Sequence, residues 1–120
     1  MANIMIVDDE PTLQQLIAII LEDMGHVVVG QFYNGESALK AYESSDPKPE
    51  LLIVDHRMPI MSGADLSRMV LEREPDQKIL FLTADDSVKE FVSDLGIDHF
   101  LRKPVDIDTL KKAVEVCLSS

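Results

Sequence analysis

The segment LLIVDHRMPIMSG, Leu51 to Gly63, carries four apolar residues straight into an acid, Asp55, with a Met-Pro turn beginning three residues later. A short, unbroken apolar run bounded by turn residues is the pattern of a strand buried on both faces, as in a parallel sheet. The question is why such a strand should end on a carboxylate.

Similar runs lie to either side of Leu51–Val54, at Ile4–Val7, Val27–Val29, Ile79–Leu82 and His99–Leu101. Helical patterns separate them. Leu13, Leu16, Ile17, Ile20, Leu21 and Met24 recur at helical spacing and Gly25 stops them. Leu66, Met69 and Val70 mark another helix, with Ser62 and Asp65 at its start and Pro75 beyond its end. Val88, Phe91, Val92 and Leu95 form a fourth, opened by a Ser87–Glu90 capping box and stopped by Gly96. Ile107, Leu110, Val114, Cys117 and Leu118 form the last, capped by Asp106, while Glu36–Ser44 is the least marked. Strands alternating with helices predict one α/β domain over residues 1–120. The expected architecture is a doubly wound, five-stranded parallel sheet, (βα)5, in strand order 2-1-3-4-5.

In that order the strand direction of travel reverses between the first and third strands, and ligands bind at the carboxyl ends beside that point. The first strand ends in Asp8-Asp9, the third in Asp55, the fourth in Thr83 and the fifth in Arg102-Lys103-Pro104. Clustered carboxylates raise one another's pKa values unless neutralised. A hard divalent cation such as Mg²⁺, with oxygen ligands, answers that need, and Lys103 brings the sum near zero. A metal, an ammonium and a hydroxyl around one carboxylate form an electrophilic clamp for a phosphoryl group, and Asp55 reads as its nucleophile. Taken singly, each residue has a plainer reading: Asp8-Asp9 as a helix-capping turn, Asp55 as a turn acid, Thr83 and Lys103 as ordinary strand-end residues. Their joint placement at one rim carries the functional reading.

Composition narrows the alternatives. The chain has 120 residues, 46% hydrophobic and only 5% aromatic, so Ile, Leu, Val, Met and Ala must fill the core. No apolar run approaches the roughly 18 residues of a membrane span, and MANIMIVDDE lacks the marks of a signal peptide. Cys117 is the only cysteine, which suits a reducing cytoplasm. A net charge of −11 repels nucleic acid and anionic membrane, or simply keeps a cytosolic protein soluble.

The motifs VDDE (Val7–Glu10), LIVDHRMPIMSG (Leu52–Gly63), FLTA (Phe81–Ala84) and FLRKP (Phe100–Pro104), in this order and spacing, resemble the receiver domains of two-component response regulators, the CheY-like family. The resemblance covers the whole chain and implies the flavodoxin/CheY-like fold. It implies that Asp55 accepts a phosphoryl group from a sensor histidine kinase or histidine phosphotransfer protein. Asp8, Asp9, Asp55 and the main-chain carbonyl of Arg57 would hold Mg²⁺, or Mn²⁺. Lys103 would pair with the phosphoryl oxygens, Thr83 would hydrogen-bond one of them, and Phe100 would be the switch aromatic. Lys103-Pro104 would be a cis peptide. Phosphorylation would bias a two-state equilibrium of the face made by the fourth helix, fifth strand and fifth helix, which a downstream protein or output domain reads. The protein would be a phosphorelay switch rather than an enzyme acting on other substrates, a monomer or a phosphorylation-dependent dimer.

Departures from the family pattern are local. Phe100 stands where Tyr is common, and Ser62 where Asp is frequent. The interval from Thr83 to Lys103 is short, so the fourth helix or its preceding loop should be short as well. Arg57 and Asp85, two residues after Asp55 and Thr83, should overhang the phosphoryl group and either form an ion pair that slows dephosphorylation or remain solvated charges. Met58 and Met61 are placed to shield the site. His56 reads as a turn residue, His26 and His99 lie at the far rim, and Cys117 belongs to the core.

Three rival functions stand beside this one. A phosphatase with an Asp nucleophile typically shows a second Asp where Arg57 stands. A nucleotide- or flavin-binding protein would need a glycine-rich phosphate loop, whereas the loop here is the acidic DDEP. A non-switching interaction module of the same fold would not need the set Asp8, Asp9, Asp55, Thr83 and Lys103. No output domain follows Leu118, so the chain reads as a stand-alone messenger or a domain cut from a longer regulator.

Overall fold

A computed structural model describes residues 1–120. The elements run β1 (Asn3–Val7), α1 (Pro11–Asp23), β2 (Val27–Phe32), α2 (Gly35–Ser44), β3 (Leu51–Val54), α3 (Gly63–Arg73), β4 (Lys78–Thr83), α4 (Lys89–Asp94), β5 (His99–Arg102) and α5 (Ile107–Ser119). The strands form one parallel sheet in the order β2-β1-β3-β4-β5, as expected.

The side-chain period of two sorts the strands into two cores. Ile4 and Ile6, Leu51 and Ile53, and Leu80 and Leu82 join Ile17, Leu21, Leu110 and Val114 from α1 and α5. Met5 and Val7, Leu52 and Val54, and Ile79 and Phe81 join Ala38, Leu66, Val70 and Val92 from α2, α3 and α4. Helices therefore cover both faces, and β1, β3 and β4 are buried on both sides. The edge strands depart from the expectation. β2 alternates exposed and half-buried residues, and β5 is only half-buried, because each pairs on one side only.

Details of the helices also differ. Gln14, not Leu16, turns inward on α1: its side-chain NH2 donates to the carbonyls of Phe32, Ile6 and Asp8 at 2.7, 3.2 and 3.2 Å, while Leu16 is exposed. These carbonyls stand where β1 and β2 end, so a buried amide ties the two strand ends together, adding to the Asp8 N–H that the Phe32 carbonyl already accepts. Asp85, rather than Ser87, is the cap before α4. It accepts from the Ser87 N–H, and a 3₁₀ turn over Asp86–Val88 precedes a helix of only 6 residues. That confirms the expected shortening and leaves Phe91 exposed. Asn34 caps α2, Ser62 caps α3 and Asp106 caps α5, each accepting from a first-turn N–H. Ile107 is exposed, whereas Cys117 is fully buried and its thiol is pushed up to about 11 by burial.

Candidate functional site

Three of the expected site residues, Asp8, Asp55 and Lys103, sit one step past a strand, each tied by its own N–H to the neighbouring strand, and Thr83 is the last residue of β4. Asp8 N–H donates to the Phe32 carbonyl at 3.0 Å, Asp55 N–H to that of Val7 at 2.9 Å, and Lys103 N–H to that of Thr83 at 2.9 Å. The ladder thus fixes the backbone before the side chains meet. Because Val7 pairs with Val54, the next residues, Asp8 and Asp55, lie side by side at the rim. This is why the strand ends on a carboxylate: the hydrophobic run sets the register, and the acid emerges where the sheet stops.

Asp8 and Asp55 are almost fully buried, and so is Thr83. The Lys103 ammonium lies between the two acids, 2.9 Å from Asp8 Oδ2 and 3.4 Å from Asp55 Oδ2. It also reaches Glu10 Oε1 at 3.0 Å, a contact the sequence reading did not anticipate. Burial raises the pKa of Asp55 above the carboxylate range; Lys103 opposes that shift and Asp8 reinforces it. Burial likewise raises Asp8, against hydrogen bonds from Lys103 and the Glu10 N–H. Burial alone would depress Lys103, but the hydrogen bonds to Asp8 and Glu10 and the charge of Asp55 outweigh it and hold the ammonium above its usual value.

One ammonium faces an excess of negative charge. Oxygens from Asp8, Asp9, Glu10 and Asp55 all lie within 4.8 Å of one another. A compact set of hard oxygen donors around uncompensated charge fits a divalent cation such as Mg²⁺. Beside it an open cavity of about 250 Å³ is bordered by Asp9, Asp55, Arg57 and Thr83, among others. The Arg57 carbonyl accepts no protein hydrogen bond.

Arg57 and Asp85 do meet. The guanidinium contacts Asp85 Oδ2 at 3.1 Å through Nη2 and 3.2 Å through Nε. Ser87 and then Arg57 hold the Asp85 carboxyl below its usual pKa. The Thr83 hydroxyl accepts from the Asp85 N–H at 3.2 Å. Phe100 stacks on Phe81 with centroids 5.8 Å apart and planes at 13°, and the Lys89 ammonium lies 5.8 Å from its ring. Met58 and Met61 pack against the α2–α3 core and do not border the site cavity, contrary to their expected shielding role. His56 is half-buried, its ring 6.2 Å from Phe81 and its Nδ1 without a partner. Gly63 lets α3 begin against the strand end. Its N–H donates to the His56 carbonyl at 2.9 Å, and a Cβ there would come within 1.9 Å of the Asp55 carbonyl. The Lys103-Pro104 peptide is cis, as expected, and so is Asp46-Pro47. His26 and His99 stand at the opposite rim.

The response regulator receiver domain profile matches residues 4–115. The chain belongs to that family. Receiver domains of this kind occur in larger and smaller proteins. The chain is 33% identical over 119 residues to the transcriptional regulatory protein GlrR of Escherichia coli, covering 98% of this chain and 26% of that protein. It is 28% identical over 122 residues to the chemotaxis protein CheY of Listeria monocytogenes, covering 96% of this chain and 97% of that one. The chain spans about a quarter of the length of several curated relatives it matches. Among solved structures, the response regulator TrrA of Thermotoga maritima, in complex with Mg²⁺-BeF, superposes with a TM-score of 0.88 at 32% identity, covering 98% of this chain and 100% of that one. No helix of this receiver domain is long and apolar enough to cross a membrane.

Proposed function

We propose that residues 1–120 act as a phosphorylation-dependent switch in a two-component phosphorelay, with Asp55 as the phosphoacceptor. One observation carries this reading: a buried carboxylate at the sheet's ligand-binding rim, flanked by Asp8 and held 3.4 Å from the Lys103 ammonium. A carboxylate oxygen of Asp55 attacks phosphorus in the phosphohistidine of a sensor kinase or phosphotransfer protein. The new O–P bond replaces the N–P bond, and the freed imidazole takes up a proton from water. Asp8, Asp9, Asp55 and the Arg57 carbonyl would hold Mg²⁺ or Mn²⁺, whose positive charge would stabilise the transferring oxygens. Lys103 supplies a second positive charge and Thr83 a hydroxyl donor.

The raised pKa of Asp55 marks a carboxylate that its surroundings destabilise, and a bound cation relieves that cost. Hydrolysis of the acyl phosphate by water, with loss of inorganic phosphate, resets the site; this is chemistry the domain performs only on itself. Arg57 and Asp85, already paired, obstruct the path of that water and set the lifetime. Release of the Thr83 hydroxyl from the Asp85 N–H to the phosphoryl group repositions Phe100, which couples the site to the α4–β5–α5 face. A downstream protein or output domain reads that face, as a monomer or through phosphorylation-dependent dimerisation. We place the exchange in the cytoplasm, without nucleic-acid or membrane contact by this chain.

Incubation with acetyl phosphate and Mg²⁺, followed by intact mass measurement, tests the assignment. A labile gain of one phosphoryl group is expected, absent from Asp55→Asn and from chelator-treated protein. No gain from acetyl phosphate or from a phosphohistidine donor would overturn it and leave an interaction module.

A further inference from the structure

Glu10 does two things in the structure that nothing in its local backbone requires. It is the N-cap of α1, yet its side chain caps nothing. The residue before a proline is confined to extended backbone, and Pro11 holds Glu10 at φ −94°, ψ 107°. With its backbone so fixed, its main-chain N–H donates to Asp8 Oδ1 at 2.9 Å and its carboxylate reaches Lys103 Nζ at 3.0 Å. Asp8 Oδ2 completes a closed ring of three residues through its 2.9 Å bond to the same ammonium.

An ammonium has three N–H donors. Here three carboxylates surround it, and the two shorter contacts go to Asp8 and Glu10 rather than to the nucleophile Asp55. Glu10, Ala84 and Lys103 also border both the site cavity and an adjoining cavity of about 350 Å³ lined by Leu13, Pro104 and Val105. Glu10 and Lys103 thus meet where the two cavities share their lining.

We propose that Glu10 is a positioning residue for Lys103: it holds the ammonium in its resting place and competes with phosphoryl oxygens for it. This rests on the phosphoacceptor reading of Asp55. A phosphoryl group on Asp55 extends the acceptor oxygens beyond the carboxylate, so Lys103 must give up a resting contact to follow them. Asp8 is committed to the cation that the site would hold, which leaves Glu10 as the adjustable partner. Its side chain is 61% exposed, so the competition is modest, a factor of about two to five.

The test compares wild type with Glu10→Gln, which removes charge but keeps reach, and Glu10→Asp, which keeps charge but loses reach. In metal-free protein, the ¹⁵N–¹H signal of the Lys103 ammonium is read by NMR. A slowly exchanging signal in wild type, lost in both variants, is expected. At saturating Mg²⁺, calorimetric binding of beryllofluoride should tighten about two- to fivefold in both variants. If Glu10→Asp binds like wild type while only Glu10→Gln changes, the effect is charge alone and the proposal fails. Equal binding by all three proteins would overturn it too. A tenfold loss of Mg²⁺ affinity in both variants would make Glu10 a metal ligand instead. If wild type binds beryllofluoride no better than Asp55→Asn, the phosphoacceptor reading itself fails; the Lys103 signal, read without metal or beryllofluoride, then shows whether the resting contact exists.

Discussion

At the carboxyl rim of the sheet, Asp8 and Asp55 are buried and Lys103 is half-buried, with their charges facing one another. At the amino rim, Tyr42 is equally buried, but its hydroxyl meets an uncharged amide. Its hydroxyl donates to Gln77 Oε1 at 2.6 Å, and the Gln77 NH2 donates to the carbonyls of Pro49 and Lys78 at 3.0 and 3.1 Å. The Lys48 ammonium donates to the carbonyls of Tyr42 and Glu43 at 2.6 and 3.1 Å and lies 4.9 Å from the Tyr42 ring. Burial pushes the Tyr42 hydroxyl up to about 12, so it stays a neutral donor. One rim is a settled hydrogen-bond network. The other keeps like charges together under burial, which is destabilising unless something positive arrives. The difference separates a rim built for stability from one built to receive a ligand.

The largest expected effect is at the settled rim. Tyr42→Ala should cost about 3–5 kcal/mol in urea unfolding, because it deletes a fully buried ring and strands Gln77. A loss under about 1 kcal/mol would show that the amino rim does not anchor the fold. At the charged rim the sign reverses. Asp55→Asn should stabilise the metal-free protein by about 1–3 kcal/mol at neutral pH, since it removes one of the crowded carboxylates while Asp8 and Glu10 still pair Lys103.

The pH dependence follows from the raised Asp55 pKa. Wild type binds the Asp55 proton more tightly folded than unfolded, so this group erodes stability as pH rises from the ordinary 3.8 through the folded value. The advantage of Asp55→Asn is therefore full above that window and closes as pH falls through it. A stability difference independent of pH in chelator-treated samples would contradict the electrostatic account.

The smallest effect on the fold belongs to Arg57→Ala. Its side chain is 78% exposed, so stability should move by no more than about 0.5 kcal/mol. Loss of the phosphoryl group, followed by intact mass, should quicken about two- to fivefold. An unchanged rate would remove the Arg57–Asp85 pair from the account of lifetime.

Most of the fold was legible because burial on both faces writes itself as unbroken apolar runs, and turn residues mark where they end. Asp8, Asp55 and Thr83 were legible for the same reason, since each is the polar residue that terminates such a run, while Lys103, one position beyond Arg102, was legible through the FLRKP motif. Edge exposure of β2 and β5 was less legible, since an edge strand and a central one share the same residue types and differ only in what lies beside them. Helical periodicity placed Leu16 and Phe91 with the core because it counts spacing and not the area that each helix has available to cover. The inward turn of Gln14 carried no local signal, as its three acceptors come from the ends of two strands.

By itself, the sequence determined the alternation of strands and helices, the order of the sheet and the gathering of acids at one rim. These depend on hydrophobic patterning and on rules of chain connection that act over short spans. Only the tertiary structure decided that Glu10 meets Lys103, 93 positions away, and that Arg57 meets Asp85, 28 positions away. Side-chain pairing across strands depends on register, backbone direction and competition among charges, and none of these is fixed until the sheet has closed around the site.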